Sequence, residues 1–313
     1  MPLATDSSGN RQPSAPLRLG IIGSSAGNGH PYSWAAICNG YDAALMADCP
    51  YPGIPAYLGA RRFPDDRLSD AIVSHIWTQD AAQSRHIAGA SLIPTIVAAP
   101  EDMIGAVDGL LLARDDAENH ARFALPFLRA GLPVYLDKPL ALSSNEADQL
   151  LAEERYPGQI FTGTAVAWAD EMRLTAEQSA RIGKVRHIIG VTPKYWDTYA
   201  VHVIEPALQV LGEETAPEKV IALGRGAQRM VSATWASGAT AQFAALGSIA
   251  APISLAVFGE SGHETLVFKD SFTAFRTALQ QFCRGVLTRQ RMFNLPRTLA
   301  VTKIIERGRA AGG

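Results

Sequence analysis

The chain predicts an α/β protein, with a doubly wound parallel sheet in its first half and an α+β domain on a mainly antiparallel open sheet in its second. Three observations carry that expectation. A short apolar run, Leu17–Ile22, feeds a loop of small residues that opens at Gly23. Further apolar runs then alternate with helix-like stretches as far as Ala165, the spacing of β-α-β units and a parallel sheet. Beyond Val166 the texture changes to consecutive short strand-like runs joined by turn residues. The expected organisation is a polar tail over 1–16, rich in Ser, Pro and Gly, then one domain over 17–165 and a second over 166–313.

The elements follow in order. Leu17-Arg18-Leu19-Gly20-Ile21-Ile22 has the apolar character of a buried strand. The next parallel strand is expected over 71–77, followed by a helix over 80–90. Residues 107–113 read as a strand, and a helix over 118–130 leads into another at 133–136. Ser143 or Ser144 caps a helix running to Glu154, with Glu146 near its first turn. Residues 159–165 supply one more strand. In the second domain, strands are expected over 185–191, 220–224, 229–236, 240–246, 253–259 and 264–268, with turn chemistry at Ser237-Gly238 and Ser261-Gly262. Helices are expected over 199–211, 272–286 and 296–309. Residues 41–70, rich in Pro, Tyr and Arg, lengthen the first crossover well beyond ordinary spacing. That segment reads equally as a functional insertion and as a surface embellishment.

Bulk composition removes several function classes. With 313 residues and 47% hydrophobic content, the chain suits two modest domains with ordinary cores. A net charge of −2 with scattered Lys and Arg gives no footprint for nucleic acid or anionic membrane. No run approaches the roughly 18 apolar residues of a membrane span. Cys38, Cys49 and Cys283 lack metal-type spacing and leave one thiol over in any disulfide scheme, which fits a reducing, cytoplasmic setting. No local cluster of metal ligands is expected.

Asp137-Lys138-Pro139 is the most informative stretch. It ends the 133–136 run and so puts an ammonium group at the edge of a parallel sheet, where ligands bind in open α/β folds. The loop after the first strand reads Gly23-Ser24-Ser25-Ala26-Gly27-Asn28-Gly29-His30. A dinucleotide-binding turn needs glycines where backbone approaches a pyrophosphate and where helix meets strand. Gly23 fits the first place, Ser25 and Asn28 occupy the usual second and third, and Gly27 and Gly29 offer replacements in a longer loop. Thr78 falls where an NAD enzyme usually carries its ribose-binding acid, while Asp80 reads as the next helix's N-cap. NAD and NADP both stay open. Farther on, His202 lies on an otherwise apolar helix face, with Tyr199 and Glu205 one turn either side. A lone histidine there is more often a packed core residue. One with flanking carboxylates, on the first helix of a domain that follows a nucleotide fold, is a candidate acid/base.

Taken in order, the glycine-rich loop, "VDGLLLA", Asn119-His120, "AGLPVYLDKPLALS" and "YAVHVIEPALQVLG" resemble the Gfo/Idh/MocA oxidoreductases, which include glucose–fructose oxidoreductase and inositol dehydrogenase. The resemblance covers nearly the whole chain from Leu17 onward and is densest over 107–151. It implies a Rossmann domain, a C-terminal domain that binds substrate and uses its open sheet for dimer or tetramer contacts, and a nicotinamide cofactor, NAD or NADP. The cofactor-binding residues it implies are Gly23, Ser24, Ser25, Gly27, Asn28, Gly29, Thr78, Arg114, Asn119, His120, Asp137 and Lys138. Asp137-Lys138-Pro139 is similar to the family's Glu-Lys-Pro motif, which places Lys138 by the nicotinamide and the substrate hydroxyl and implies a cis bond before Pro139. His202 matches the catalytic histidine. Asp197 is a further catalytic candidate, and Tyr195, Trp196 and Tyr199 join Lys138 and His202 as expected substrate contacts. Two departures stand out. The family often has an aspartate four residues before the histidine, where this chain has Thr198, with Asp197 one residue earlier. Arg114-Asp115-Asp116 replaces small uncharged residues, and two carboxylates repel a pyrophosphate unless Arg114 pairs with one or they face substrate hydroxyls.

The expected function is therefore hydride transfer between nicotinamide and a hydroxyl-bearing carbon of a sugar, nucleotide sugar or polyol. Two alternatives remain at this stage: a dinucleotide-binding regulatory protein without turnover, and a redox-assisted sugar lyase or glycosidase.

Overall fold

The computed structural model describes residues 15–224 and 227–310, so most of the expected 1–16 tail lies outside the described residues. β1 (Leu17–Ile22), β2 (Ala71–Trp77), β3 (Thr95–Ile96), β4 (Gly109–Leu112), β5 (Val134–Leu136) and β6 (Ile160–Phe161) form one sheet, in which β4, β5 and β6 are buried throughout, as strands covered on both faces are, while the edge strand β3 is exposed. Its order is β3-β2-β1-β4-β5-β6 with every pair parallel. This is the order of dinucleotide-binding sheets, whose ligands lie outside the strand ends where β1 and β4 diverge. The Gly23 loop, Arg114-Asp115 and Asp137-Lys138 all leave strands at that edge.

The helices of this half are α1 (His30–Asn39), α2 (Ala43–Ala47), α3 (Gly53–Gly59), α4 (Ala81–Ala90), α5 (His120–Arg129) and α6 (Ser144–Ala152). Their caps are local chemistry. Asp80 accepts the amides of Ala82 and Gln83, and Ser143 with Glu146 closes a capping box at α6. The helix expected from residue 118 starts at His120, because Ala117–Asn119 forms a 3-10 turn first. The strand expected over 159–165 ends at Phe161. Gly163, at φ +116°, turns the chain there, and Thr164 caps a 3-10 turn over Ala165–Trp168. The 41–70 segment folds as α2 and α3, which pack against helices rather than strands, α2 on α4 and α3 on α1.

The second half holds α7 (Ala176–Ile182), β7 (Val185–Thr192), α8 (Trp196–Tyr199), α9 (Val201–Leu211), β8 (Lys219–Leu223), β9 (Gln228–Thr234), β10 (Thr240–Leu246), β11 (Ser254–Gly259), β12 (His263–Val267), α10 (Ser271–Thr288) and α11 (Leu295–Ala310). Its sheet runs β12-β11-β7-β10-β9-β8, antiparallel except for the parallel pair β7/β10. The helix expected over 199–211 is two segments, α8 and α9, ended by Gly212 in the left-handed region. α9 lies close on the sheet because Gly190 has no side chain; a Cβ there would stand 2.9 Å from Val203. The opposite sheet face exposes Ile221, Leu223, Met230 and Phe258. Cys38, Cys49 and Cys283 are free and buried. No helix among the described residues is long and apolar enough to cross a membrane.

Candidate active site

Loops from the carboxyl ends of β1, β4 and β5 meet α8, α9 and the 41–70 insertion around a cavity of about 450 Å³. Lys138, Asp115, His30, Tyr199 and His202 all line it. The Lys138–Pro139 bond is cis, as the motif implied. Lys138 is 4% exposed, and its Nζ donates to Asp115 Oδ2 at 3.0 Å and to the Thr198 carbonyl at 3.3 Å. Burial opposes its charge, but the carboxylates of Asp137 and Asp115 outweigh that and hold its pKa above the ordinary lysine value. Burial likewise pushes Asp115 up, and Lys138, Ser25 and His30 more than reverse it, leaving Asp115 well below the usual carboxylate range. Asp137 is also held low, chiefly by His30, whose Nδ1 lies 2.5 Å from Asp137 Oδ2. Lys138, Asp115 and Asp137 therefore form a charged cluster at neutral pH.

His202 differs. Burial first, then the charges of Lys138 and His30, drive its pKa well below the ordinary histidine value, so its ring is neutral at pH 7. Its Nδ1 sits 2.6 Å from Thr164 Oγ1, and Nε2 makes no hydrogen bond among the described residues. Tyr199 packs edge-on against the His202 ring at 4.9 Å, and Lys138 Nζ lies 5.2 Å from the same Tyr199 ring. Lys138 and His202 thus flank one aromatic ring.

Thr164 is itself held from behind, its amide donating to Glu205 Oε2 at 2.7 Å. Burial lifts the Glu205 pKa to about 7, partly offset by the Thr164 amide and Arg297. A carboxyl raised from about 4.5 when unfolded to about 7 when folded favours the native state most below pH 4.5. That contribution falls as pH rises through 7, by about 3 kcal/mol in all. His202, shifted down, works in the opposite sense over part of the same range. Denaturant unfolding of wild type and Glu205→Gln from pH 4.5 to 8 isolates the Glu205 contribution. The variant should gain on wild type as pH rises, and parallel curves would reject the assignment.

The loop after β1 leaves backbone donors free. Among the described residues the amides of Ser25, Ala26 and Gly27 donate to nothing. Gly27, at φ +77°, has open space where a Cβ would be. Free amides of this kind hold anions. The other loop residues are committed to the protein. Asn28 bonds Asp137 and the His30 amide, Ser24 Oγ donates to Gln83, and Ser25 Oγ donates to Asp115 at 2.6 Å. Gly23 and Gly29 are required by packing, since Cβ atoms there would meet Pro31 at 2.4 Å and Tyr51 at 2.5 Å. Gly23, expected to make room for a pyrophosphate, is required in addition to make room for the start of α1. Arg114 pairs with Asp116 through two hydrogen bonds and also holds the Ser24 carbonyl and Gln79. With Asp115 on Lys138, both carboxylates of the Asp115-Asp116 pair are neutralised.

Several expected contacts lie elsewhere. Thr78 spends its hydroxyl on the Asp80 carbonyl and Ser84, inside the β2–α4 turn. Asn119 binds Asp116, and His120 is fully buried between the carbonyls of Arg114 and Leu140, so both brace the β4 loop. Tyr195, Trp196 and Asp197 line a different depression, with Arg229, Glu306 and Arg309, and Asp197 also borders a cavity with Ser25, Ala26 and Asp115. Trp196 is buried against Gly308 and donates to the Ile305 carbonyl, and Asp197 pairs with Arg309 at 3.2 Å. Helical phase explains the separation, because a residue five positions before His202 sits about 140° round the helix from it. Sequence reasoning did not pick out His30, Thr164 or Lys194 as site residues, nor Tyr51 and Tyr57 of the insertion, all at or beside the cavity. His30, directly after the loop, was the one with a local signal. Among the described residues no group of three His, Cys, Asp or Glu could hold a metal ion.

Residues 54–163 match the family model described as "Oxidoreductase family, NAD-binding Rossmann fold", named GFO_IDH_MocA. A protein of Amycolatopsis mediterranei named as a UDP-kanosamine synthase oxidoreductase subunit is 32% identical over 69 residues, 22% of this chain and 19% of that one. The chain thus matches only about a fifth of the length of that curated relative. Among solved structures, myo-inositol 2-dehydrogenase from Lactobacillus plantarum superposes with a TM-score of 0.69 at 15% identity, covering 95% of this chain and 97% of the other. GenD2 from gentamicin A biosynthesis, solved in complex with NAD, gives 0.69 at 16% identity, over 95% and 94%. At these identities the structural likeness extends the fold match over both halves.

Proposed function

We propose, because residues 54–163 match the Gfo/Idh/MocA oxidoreductase family model, that this chain is an NAD- or NADP-dependent dehydrogenase or reductase acting on a CH–OH group of a sugar, nucleotide sugar or polyol. The observation that carries the reading is the convergence of Lys138 and His202 on one cavity beside a loop with free amides. The dinucleotide supplies the hydride acceptor or donor. The amides of Ser25, Ala26 and Gly27 hold its pyrophosphate, with Asn28, Gly29 and Asp137 shaping the loop. Lys138 orients the substrate hydroxyl and stabilises negative charge on its oxygen. In the tautomer that donates Nδ1–H to Thr164, His202 offers Nε2 to the hydroxyl proton. Tyr199 and Lys194 form the wall beyond. Relatives whose names include inositol and nucleotide-sugar chemistry support the substrate class. The exposed apolar sheet face is the surface for a homodimer or homotetramer, and the buried free thiols suit the cytoplasm.

Native mass spectrometry of the purified protein should reveal retained dinucleotide, and a polyol and sugar-nucleotide panel should then change the reduced-nicotinamide absorbance. Dinucleotide binding with no turnover of any candidate would favour a regulatory role. Substrate cleavage with no net change in the dinucleotide would favour a redox-assisted lyase or glycosidase. Absence of any dinucleotide binding would remove the proposal.

A further inference from the structure

A second cavity, of about 520 Å³, shares no lining residue with the Lys138 cavity. Its wall carries four arginines: Arg173, Arg284, Arg291 and Arg297. They arrive from separate parts of the fold, namely the chain before α7, α10, the α10–α11 connection and α11. Guanidinium groups gathered on one surface repel each other unless anions sit among them. The carboxylates at hand are a poor match. Glu154 pairs with Arg291 at 2.6 Å, but Glu214 reaches Arg297 only at 3.5 Å. Asp170 reaches Arg173 at 4.0 Å with its side chain 97% exposed, where solvent screens the pair. Arg284 makes no ion pair among the described residues. Three buried donors, Arg173 Nε, Arg291 Nη1 and Arg297 Nε, have no hydrogen-bond partner among the described residues. Unmade bonds at buried donors are costly, and charged donors most of all.

The carboxylate that lines this cavity is Glu205. Its oxygen is already committed to the Thr164 amide, and its pKa near 7 leaves it only partly ionised at neutral pH. It does not balance four guanidiniums. Trp168 and Phe293 give the cavity an apolar side as well.

We propose that this cavity binds a phosphate monoester, its phosphoryl oxygens taken by Arg284 and Arg297 and its carbon skeleton lying against Trp168 and Phe293. Guanidinium forks fit phosphate oxygens two at a time, which a lysine cluster does not. The dicationic rim supplies the charge that a doubly ionised phosphoryl group needs, and the aromatic side distinguishes an ester from free phosphate. The site is separate from the glycine-rich loop and does not depend on the function proposed above.

The test is thermal unfolding of the full chain in phosphate-free buffer, with inorganic phosphate or glycerol phosphate added against sodium chloride of equal ionic strength. A ligand that binds only the native state raises the melting temperature with concentration. Wild type should rise with glycerol phosphate, less with inorganic phosphate, and not with chloride. Arg284→Gln/Arg297→Gln should lose most of the rise, whereas phosphate bound at the glycine-rich loop would survive in that variant. If the double variant does not fold, Arg284→Gln alone suffices, since Arg284 has no ion pair to lose. An equal response in wild type and variant, or no response to either phosphate, overturns the proposal. A rise with inorganic phosphate equal to that with the ester overturns the role given to Trp168 and Phe293.

Discussion

His202→Ala is expected to lower turnover by about 10²–10⁴-fold while leaving dinucleotide affinity near wild type. A carbinol proton has no acceptor at neutral pH without a base beside it. His202 is neutral there because burial and the neighbouring Lys138 and His30 charges suppress its protonation. The same suppression sets a pH signature. The acid limb of kcat/KM in the oxidative direction should fall below pH 6.5, the approximate reference value for a free histidine. If Lys138 orients the substrate hydroxyl as proposed, Lys138→Ala should reduce turnover and raise KM together. It also leaves the Asp115 carboxylate buried without its partner, so its melting temperature should drop more than that of His202→Ala. Steady-state kinetics on any substrate found by the panel decides the matter. Near wild-type turnover in folded His202→Ala would make His202 a packing residue, and the proton acceptor would have to be sought elsewhere on the cavity.

The parallel sheet was legible because its central strands are buried on both faces and show as unbroken apolar runs, and because Asp80 and Ser143 announce their helices with side-chain caps. Lys138 and His202 were legible from their order along the chain. What escaped was whatever depends on long-range pairing. Asp115 meets Lys138 across 23 residues, Thr164 meets His202 across 38, and His30 meets Asp137 across 107. None of these pairs leaves a local pattern. Asp197, picked out by its nearness to His202 in sequence, pairs with Arg309 and borders a cavity shared with Ser25, Ala26 and Asp115 rather than the one that His202 lines. The strand expected over 159–165 was cut short for a similar reason: the β-branched Thr162 and Thr164 suit a strand, but the turn at Gly163 serves Glu205, a residue 42 positions away that only the fold brings near. The insertion was ambiguous in sequence and decisive in space, since Tyr51 and Tyr57 form part of the cavity wall.

Gly23→Val should cost both stability and dinucleotide binding, and for a reason that starts in packing. The site of the missing Cβ lies 2.4 Å from Pro31 Cγ and 3.2 Å from its Cβ. Pro31 is a rigid ring in the first turn of α1, with no side-chain rotamer that clears the space. A branched side chain therefore pushes the start of α1 away from β1. Overpacking of this kind costs about 1–3 kcal/mol. The strain travels along α1, whose Trp34 stacks on Tyr135 at 4.6 Å beneath the Lys138 loop. It also shifts His30 from Asp137 and displaces the Ser25 to Gly27 amides from the positions a pyrophosphate needs. Dinucleotide affinity should fall about tenfold or more, equivalent to at least about 1.4 kcal/mol. Gly27→Ala is the matched control. Nothing lies within 4 Å of its Cβ site, so it bears only the strain of φ +77°. It should keep the melting temperature closer to wild type and show whether the open ground above the loop is where the ligand lies. Calorimetric titration with dinucleotide, run beside thermal unfolding of both variants, separates the two effects. Wild-type affinity in a folded Gly23→Val protein would mean that the pyrophosphate does not rest on this loop.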